Sequence, residues 1–115
     1  MILQARLGAS PWGLALVAAV AFAAPAAGAA DANAGRQKAS NCAVCHGPLG
    51  LSQMPDAPHL AGQPAMYLAA QLKAYRSGAR RHEVMSVIAK PLSDDEIESL
   101  AAWYSSQKIS VQPTP

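Results

Sequence analysis

Only two cysteines occur in the 115 residues, three positions apart, so a disulfide framework tying distant parts of a fold together is excluded. No second cysteine pair exists to close a zinc site, and His59 and His82 are not set in an H-x₃₋₅-H pair. Charge of one sign is missing too. Apart from Arg6, eight Lys and Arg face seven Asp and Glu, which leaves no basic stripe for a nucleic acid. No run alternates with period two for long enough to make a strand, and no internal repeat is present. The fold class this leaves is all-α. Long hydrophobic runs are also scarce. Leu14 to Ala24 is an unbroken apolar stretch of eleven, short of the roughly 20 residues that a spanning helix needs.

That stretch has a different use. One basic residue, Arg6, precedes it, Pro25 closes it, and the small residues Ala26-Ala27-Gly28-Ala29-Ala30 follow. A charged start, a short apolar centre and a small-residue cleavage site make a secretory signal peptide over residues 1–30. The organisation expected is therefore a leader, one domain over 31–108 and a frayed tail over 109–115. No stable membrane insertion is expected after processing. About 85 residues remain, a length at which a small core usually needs a staple.

The staple is in Cys42-Ala43-Val44-Cys45-His46. C-x-x-C-H reads as a c-type haem attachment site. Two thiols at this spacing reach the two vinyl groups of one porphyrin, and the histidine that follows is delivered to the iron as an axial ligand. A thioredoxin-like redox pair needs a βαβ context, and no strand-like run flanks the motif. A covalently held haem also supplies what the chain lacks, because a large apolar plate becomes the core.

Around the motif the chain reads as helices and one long loop. Residues 31–41 form a short helix that Asp31 or Asn33 can cap. Gly35 stands inside it, at a cost of about 1 kcal/mol against alanine, which close approach by another helix would explain as well as simple tolerance does. Gly47, Pro48, Gly50, Pro55, Pro58 and Gly62 punctuate 47–62 too densely for any periodic element. Loops longer than about 12–15 residues are uncommon without a job, and wrapping a cofactor edge is one. Pro64 opens the next helix at its first position, with Ala65, Leu68, Ala69, Leu72 and Tyr75 as its apolar stripe and Gly78 as its stop. A polar connector, 79–83, leads to Val84-Met85-Ser86-Val87-Ile88-Ala89-Lys90 before Pro91. Ser93-Asp94-Asp95-Glu96 is a capping box for the last helix, whose buried stripe is Ile97, Leu100, Ala101 and Tyr104, flanked by Trp103.

The sixth iron ligand decides the chemistry: an open position suggests gas binding or catalysis, a second strong ligand suggests electron transfer. His59, His82, Met54, Met66 and Met85 are the candidates. Met54 is within reach, since eight extended residues span up to roughly 26–29 Å. Met66, at a helix start, reads as ordinary packing. Met85 ranks first by spacing, being carried on a segment outside the two clear helices.

Taken with Gly35, Pro58-His59-Leu60-Ala61-Gly62-Gln63, the run from Gln71 to Arg80, Val84-Met85, Leu92-Ser93-Asp94 and Trp103-Tyr104, the chain resembles a class I c-type cytochrome. It is most similar to the cytochrome c4 and c553-type branch, across residues 31–107. The resemblance implies three main helices and loops wrapped around one covalent haem c. It implies thioethers to Cys42 and Cys45, iron ligation by His46 and Met85, and the Pro58 carbonyl on the other imidazole nitrogen of His46. It also implies that the first helix crosses the last at Gly35, near Trp103 and Tyr104. Cytochrome c4 proteins carry two such domains and this chain has one motif, so a monohaem carrier fits better. Arg80 and Arg81 are candidates for the haem propionates, since arginine suits carboxylates. Tyr67 and Tyr75 read as core packing, and His59 and His82 as surface residues.

The expectation is a periplasmic one-electron carrier, not an enzyme, serving redox partner proteins such as a membrane respiratory complex and a terminal oxidase or reductase. The alternatives are a haem-bearing subunit docked on a dehydrogenase or oxidase, and a haem enzyme or sensor with a labile sixth ligand. Met85 counts against the last.

Overall fold

The computed structural model describes residues 30–114, so the leader expected over 1–30 lies, Ala30 apart, outside the described residues. These residues form five α-helices and no strand, in agreement with the all-α expectation: α1 (Ala32–Lys38), α2 (Ala43–His46), α3 (Ala65–Ser77), α4 (Met85–Ala89) and α5 (Asp94–Ser105). A 3₁₀ turn, Ala39–Asn41, joins α1 to α2. α1, α3 and α5 are the main helices; α1 and α3 pack on α5, and α4 packs on α3. None of the helices among the described residues is long and apolar enough to cross a membrane.

The helix ends follow local chemistry. Asp31 accepts the Asn33 N–H at 2.8 Å and starts α1. At α5 both halves of the capping box are made: Ser93 Oγ accepts from Glu96 N–H at 3.2 Å, and Glu96 Oε2 accepts from Ser93 N–H at 2.9 Å. Gly78, at φ 84°, stops α3 in the left-handed region that a side chain disfavours. Pro64 sits one position earlier than expected, as the cap of α3 and not its first residue, because its ψ of 132° is still extended.

The core is the meeting of three stripes. Ile97, Leu100, Ala101 and Tyr104 of α5 are buried against Leu68 and Ala69 of α3, with Ala39, Ala89 and Leu92 closing the sides. Leu72 and Tyr75 pack against this cluster, as their spacing predicts. Two expectations on α3 fail: Met66 is 87% exposed and Tyr67 49%, since both lie on the face turned from α5. The α1–α5 crossing hinges on Gly35. A Cβ there would lie 1.9 Å from Ser99 O and 2.9 Å from Trp103 Cβ, so close approach, and not tolerance, explains this glycine. Ion pairs tie the helices at their exposed edges: Lys38 with Glu96 from α1 to α5, Lys73 with Glu98 at 2.6 Å from α3 to α5, and Arg76 with Asp94.

This core is small. Ile97 and Leu100 are its largest fully buried side chains, while eleven large apolar side chains among the described residues stay exposed. Six of those, Leu49, Leu51, Met54, Val84, Val87 and Ile88, fall on the 47–62 loop and the α4 segment. A chain that leaves so much apolar surface there has room for a large apolar partner.

Candidate haem site

The two thiols and the imidazole are mounted on a single helical turn. His46 N–H donates to Cys42 O at 2.9 Å and Gly47 N–H to Ala43 O at 3.0 Å, which makes α2 one closed turn directly after the 3₁₀ segment. Residues three apart share a helix face, so this turn presents Cys42 and Cys45 together. The chain must then reverse. Gly47 does so at φ 79°, where a Cβ would lie 2.2 Å from Leu51 O.

His46 is buried, with 7% of its surface exposed. Its Nδ1–H donates to Pro58 O at 2.8 Å. That bond fixes the tautomer, so Nε2 is the nitrogen left with a free lone pair to give to a metal. Pro58 is brought there by a loop that ties itself to the motif through polar contacts. The Ser52 hydroxyl, itself buried, donates to Cys45 O at 2.8 Å and accepts from Met54 N–H at 2.9 Å. Ser52 N–H donates to His59 Nδ1 at 2.8 Å, one residue past Pro58. Gly50 O closes the loop by accepting from Leu60 N–H at 2.7 Å and Ala61 N–H at 3.1 Å.

Sequence reasoning missed Ser52 and missed the work of His59, which is exposed yet anchors the loop. The one signal available was a serine and a histidine inside a loop too rich in proline and glycine to hold itself together. Met54 lies in this loop, 42% exposed. Met85 is half-buried at the first position of α4. Arg80 donates to Gln71 Oε1 at 2.6 Å and its guanidinium stands 4.7 Å from the Tyr75 ring centre. Arg76, also missed, donates to Leu92 O at 2.8 Å and ties the α4–α5 connector to α3.

The donor set fits a haem better than the alternatives. Burial pushes the Cys42 thiol above its ordinary range. Burial also raises Tyr104, with the neighbouring Cys42 adding to the shift. No group of three or more His, Cys, Asp and Glu able to hold a bare metal ion exists among the described residues. Two cysteines, one buried imidazole with a fixed tautomer and a rim of uncovered apolar side chains suit a metal delivered inside an apolar ring. Among the described residues, two buried side-chain polar atoms, Trp103 Nε1 and Tyr104 Oη, have no hydrogen-bond partner. Tyr104 belongs to the core cluster against which Cys42 packs.

Known proteins resemble this chain in sequence and in fold. The chain is 45% identical over 83 residues to cytochrome c-554(548) of Halomonas halodenitrificans, covering 70% of this chain and all of that one. It is 43% identical over 104 residues to a thiosulfate dehydrogenase electron acceptor of Thiomonas intermedia, covering 89% of this chain and 46% of the relative. The crystal structure of reduced cytochrome c4 from Pseudomonas stutzeri superposes with a TM-score of 0.67 at 41% identity, over 72% of this chain and 48% of the other. The chain thus spans the whole of one curated relative and about half the length of others. The Cytochrome c family itself matches residues 32–108. A match of that extent, on a helical fold that mounts C-x-x-C-H on one turn, places the chain in the cytochrome c family, electron-carrying proteins that hold iron in covalently attached haem c.

Proposed function

We propose that the chain is a periplasmic monohaem carrier whose iron is held between His46 and Met85. Cys42 and Cys45 would attach the haem as thioethers, Pro58 orients His46, and Arg80 would pair with a propionate. Residues 1–30 are the export leader, 31–108 the haem domain and 109–115 a tail. When bound, the haem supplies a one-electron ferric/ferrous couple.

The observation that carries this reading is the Pro58–His46 bond, which leaves the Nε2 lone pair of a buried imidazole free, in a chain that carries two thiols on the same turn. Met85 would serve as the second ligand because a thioether is a soft neutral donor that favours ferrous iron and raises the potential. Two protein ligands that stay in place in both oxidation states also keep rearrangement small when the electron moves. The test is the weak near-infrared band of ferric protein that marks sulfur-to-iron ligation. Met85→Ala should abolish it, lower the potential and create affinity for azide or carbon monoxide, while Met54→Ala and Met66→Ala leave it. A band that survives Met85→Ala and vanishes in Met54→Ala makes the loop methionine the ligand.

A second reading, a haem subunit docked on a partner enzyme, is favoured by likeness to the thiosulfate dehydrogenase electron acceptor of Thiomonas intermedia and to the thiosulfate dehydrogenase of Marichromatium purpuratum, which superposes with a TM-score of 0.65 at 38% identity over 74% of this chain and 20% of that one. Purification at native concentration separates the two: a carrier comes alone, a subunit with its enzyme.

A further inference from the structure

We propose that His82 is a positioning residue for the sixth iron ligand, holding the backbone of the turn that carries Met85. The inference rests on the reading of Met85 as that ligand. α4 has only five residues and its formal cap, Val84, makes no side-chain capping bond. A helix this short cannot support itself, because nucleation costs more than one turn of hydrogen bonds returns. Its first N–H groups still need acceptors.

His82 provides them. Its Nδ1 accepts from Val84 N–H and from Met85 N–H, each at 3.2 Å. Its carbonyl accepts from Ser86 N–H at 3.0 Å, and its own N–H donates to Ser86 Oγ at 3.0 Å. Val87 and Ile88 then donate to Val84 O, each at 3.0 Å. Five successive N–H groups, Val84 to Ile88, therefore end on His82 or on the residue that His82 holds. A side chain that accepts from the second and third residues after it is the geometry of an N-cap, with an imidazole nitrogen in place of the usual oxygen. His82 is exposed and lies outside the core cluster. Its influence is accordingly confined to this turn, whose second-held N–H belongs to Met85 itself.

An added ligand such as azide competes with Met85 for the iron, so its apparent affinity scales with the fraction of protein in which Met85 is released. Losing one capping side chain should raise that fraction about fivefold. The experiment titrates azide into ferric, haem-loaded protein at one fixed pH and follows the visible haem absorption in every variant, with loss of the near-infrared sulfur band marking Met85 release wherever Met85 is present. His82→Ala should tighten azide about fivefold, and His82→Asn, which restores an acceptor at the same reach, should return it to the wild-type value. Ser93→Ala removes the cap of α5 and is the control for a merely structural loss: it should lower the melting temperature without moving azide affinity. Unchanged azide affinity in His82→Ala, beside a large gain in Met85→Ala, overturns the positioning role and leaves Met85 as ligand. No gain in Met85→Ala overturns the ligand assignment, and this inference with it.

Discussion

The α1–α5 crossing and the rim formed by the 47–62 loop and α4 are built on opposite principles. At the crossing, backbone meets backbone at Gly35 and Ser99, and Ile97 and Leu100 are sealed from water beneath. At the rim, Leu51, Met54, Val84 and Val87 stay exposed, and side-chain-to-backbone hydrogen bonds from Ser52, His59 and His82 set the shape. The first region is held by dense apolar packing among its own residues. The second holds its outline by polar ties and leaves its apolar faces for a cofactor. A fold divided in this way can keep its scaffold rigid while the residues that would face the haem are placed one bond at a time. The comparison predicts that damage to the crossing spreads through the whole molecule and damage to the rim stays local.

Gly35→Ala is the severest way to break it. The new methyl would collide with the Ser99 carbonyl at 1.9 Å, a backbone atom that cannot rotate aside. Forcing α1 off α5 should cost about 3 kcal/mol, more than the gain alanine brings in helix propensity. For a domain of this size the melting temperature should fall by roughly 12–24 °C. Thermal unfolding followed by circular dichroism is the check. A fall of only a few degrees would mean that the crossing is not the stiff element.

Ser52→Ala tests the other side. It removes the hydroxyl on Cys45 O and leaves Met54 N–H without its acceptor. A buried group left unsatisfied costs about 1–3 kcal/mol, here charged against the loop alone. Native-state hydrogen exchange should show Leu60 and Ala61 N–H, which bond to Gly50 O, opening faster, while the amides of α5 keep their protection. Equal loss of protection in α5 would erase the distinction between the two regions.

The same division explains what could be read from the sequence. The α5 stripe and its capping box are legible because period and cap are local properties, and Ile97, Leu100, Ala101 and Tyr104 are all buried. Cys42, Cys45 and His46 are legible because their spacing is the chemistry. Ser52 and His59 are not, since their partners are carbonyls and N–H groups whose positions depend on how the loop closes. α4 spans too few residues for a period to declare itself. For Gly35 the local pattern does not separate close approach from tolerance, and only α5 lying against it does. Pro58 came through resemblance alone, and its carbonyl 2.8 Å from His46 Nδ1 is a tertiary contact that no local pattern encodes.

The smallest effect concerns the charge at the crossing. Lys38 hydrogen-bonds Glu96 and, with the Ser93 N–H, holds that carboxyl below the usual carboxylate range. A carboxyl depressed in the folded state adds stability above the unfolded value of about 4.3, and loses it as pH falls through the lower folded value. Glu96→Gln keeps an acceptor for Ser93 N–H and removes only the charge that Lys38 sees. The pair is solvent-exposed, so its contribution is small and salt-screened. The variant should melt slightly below the wild type at pH 7 in low salt. The gap should close as pH drops from 5 to 3, where the wild-type carboxylate is itself protonated, and should shrink in 1 M salt. Melting curves that run parallel across that pH range would show that the ion pair adds nothing. The crossing would then rest on packing without help from this ion pair, which sharpens its contrast with the polar rim.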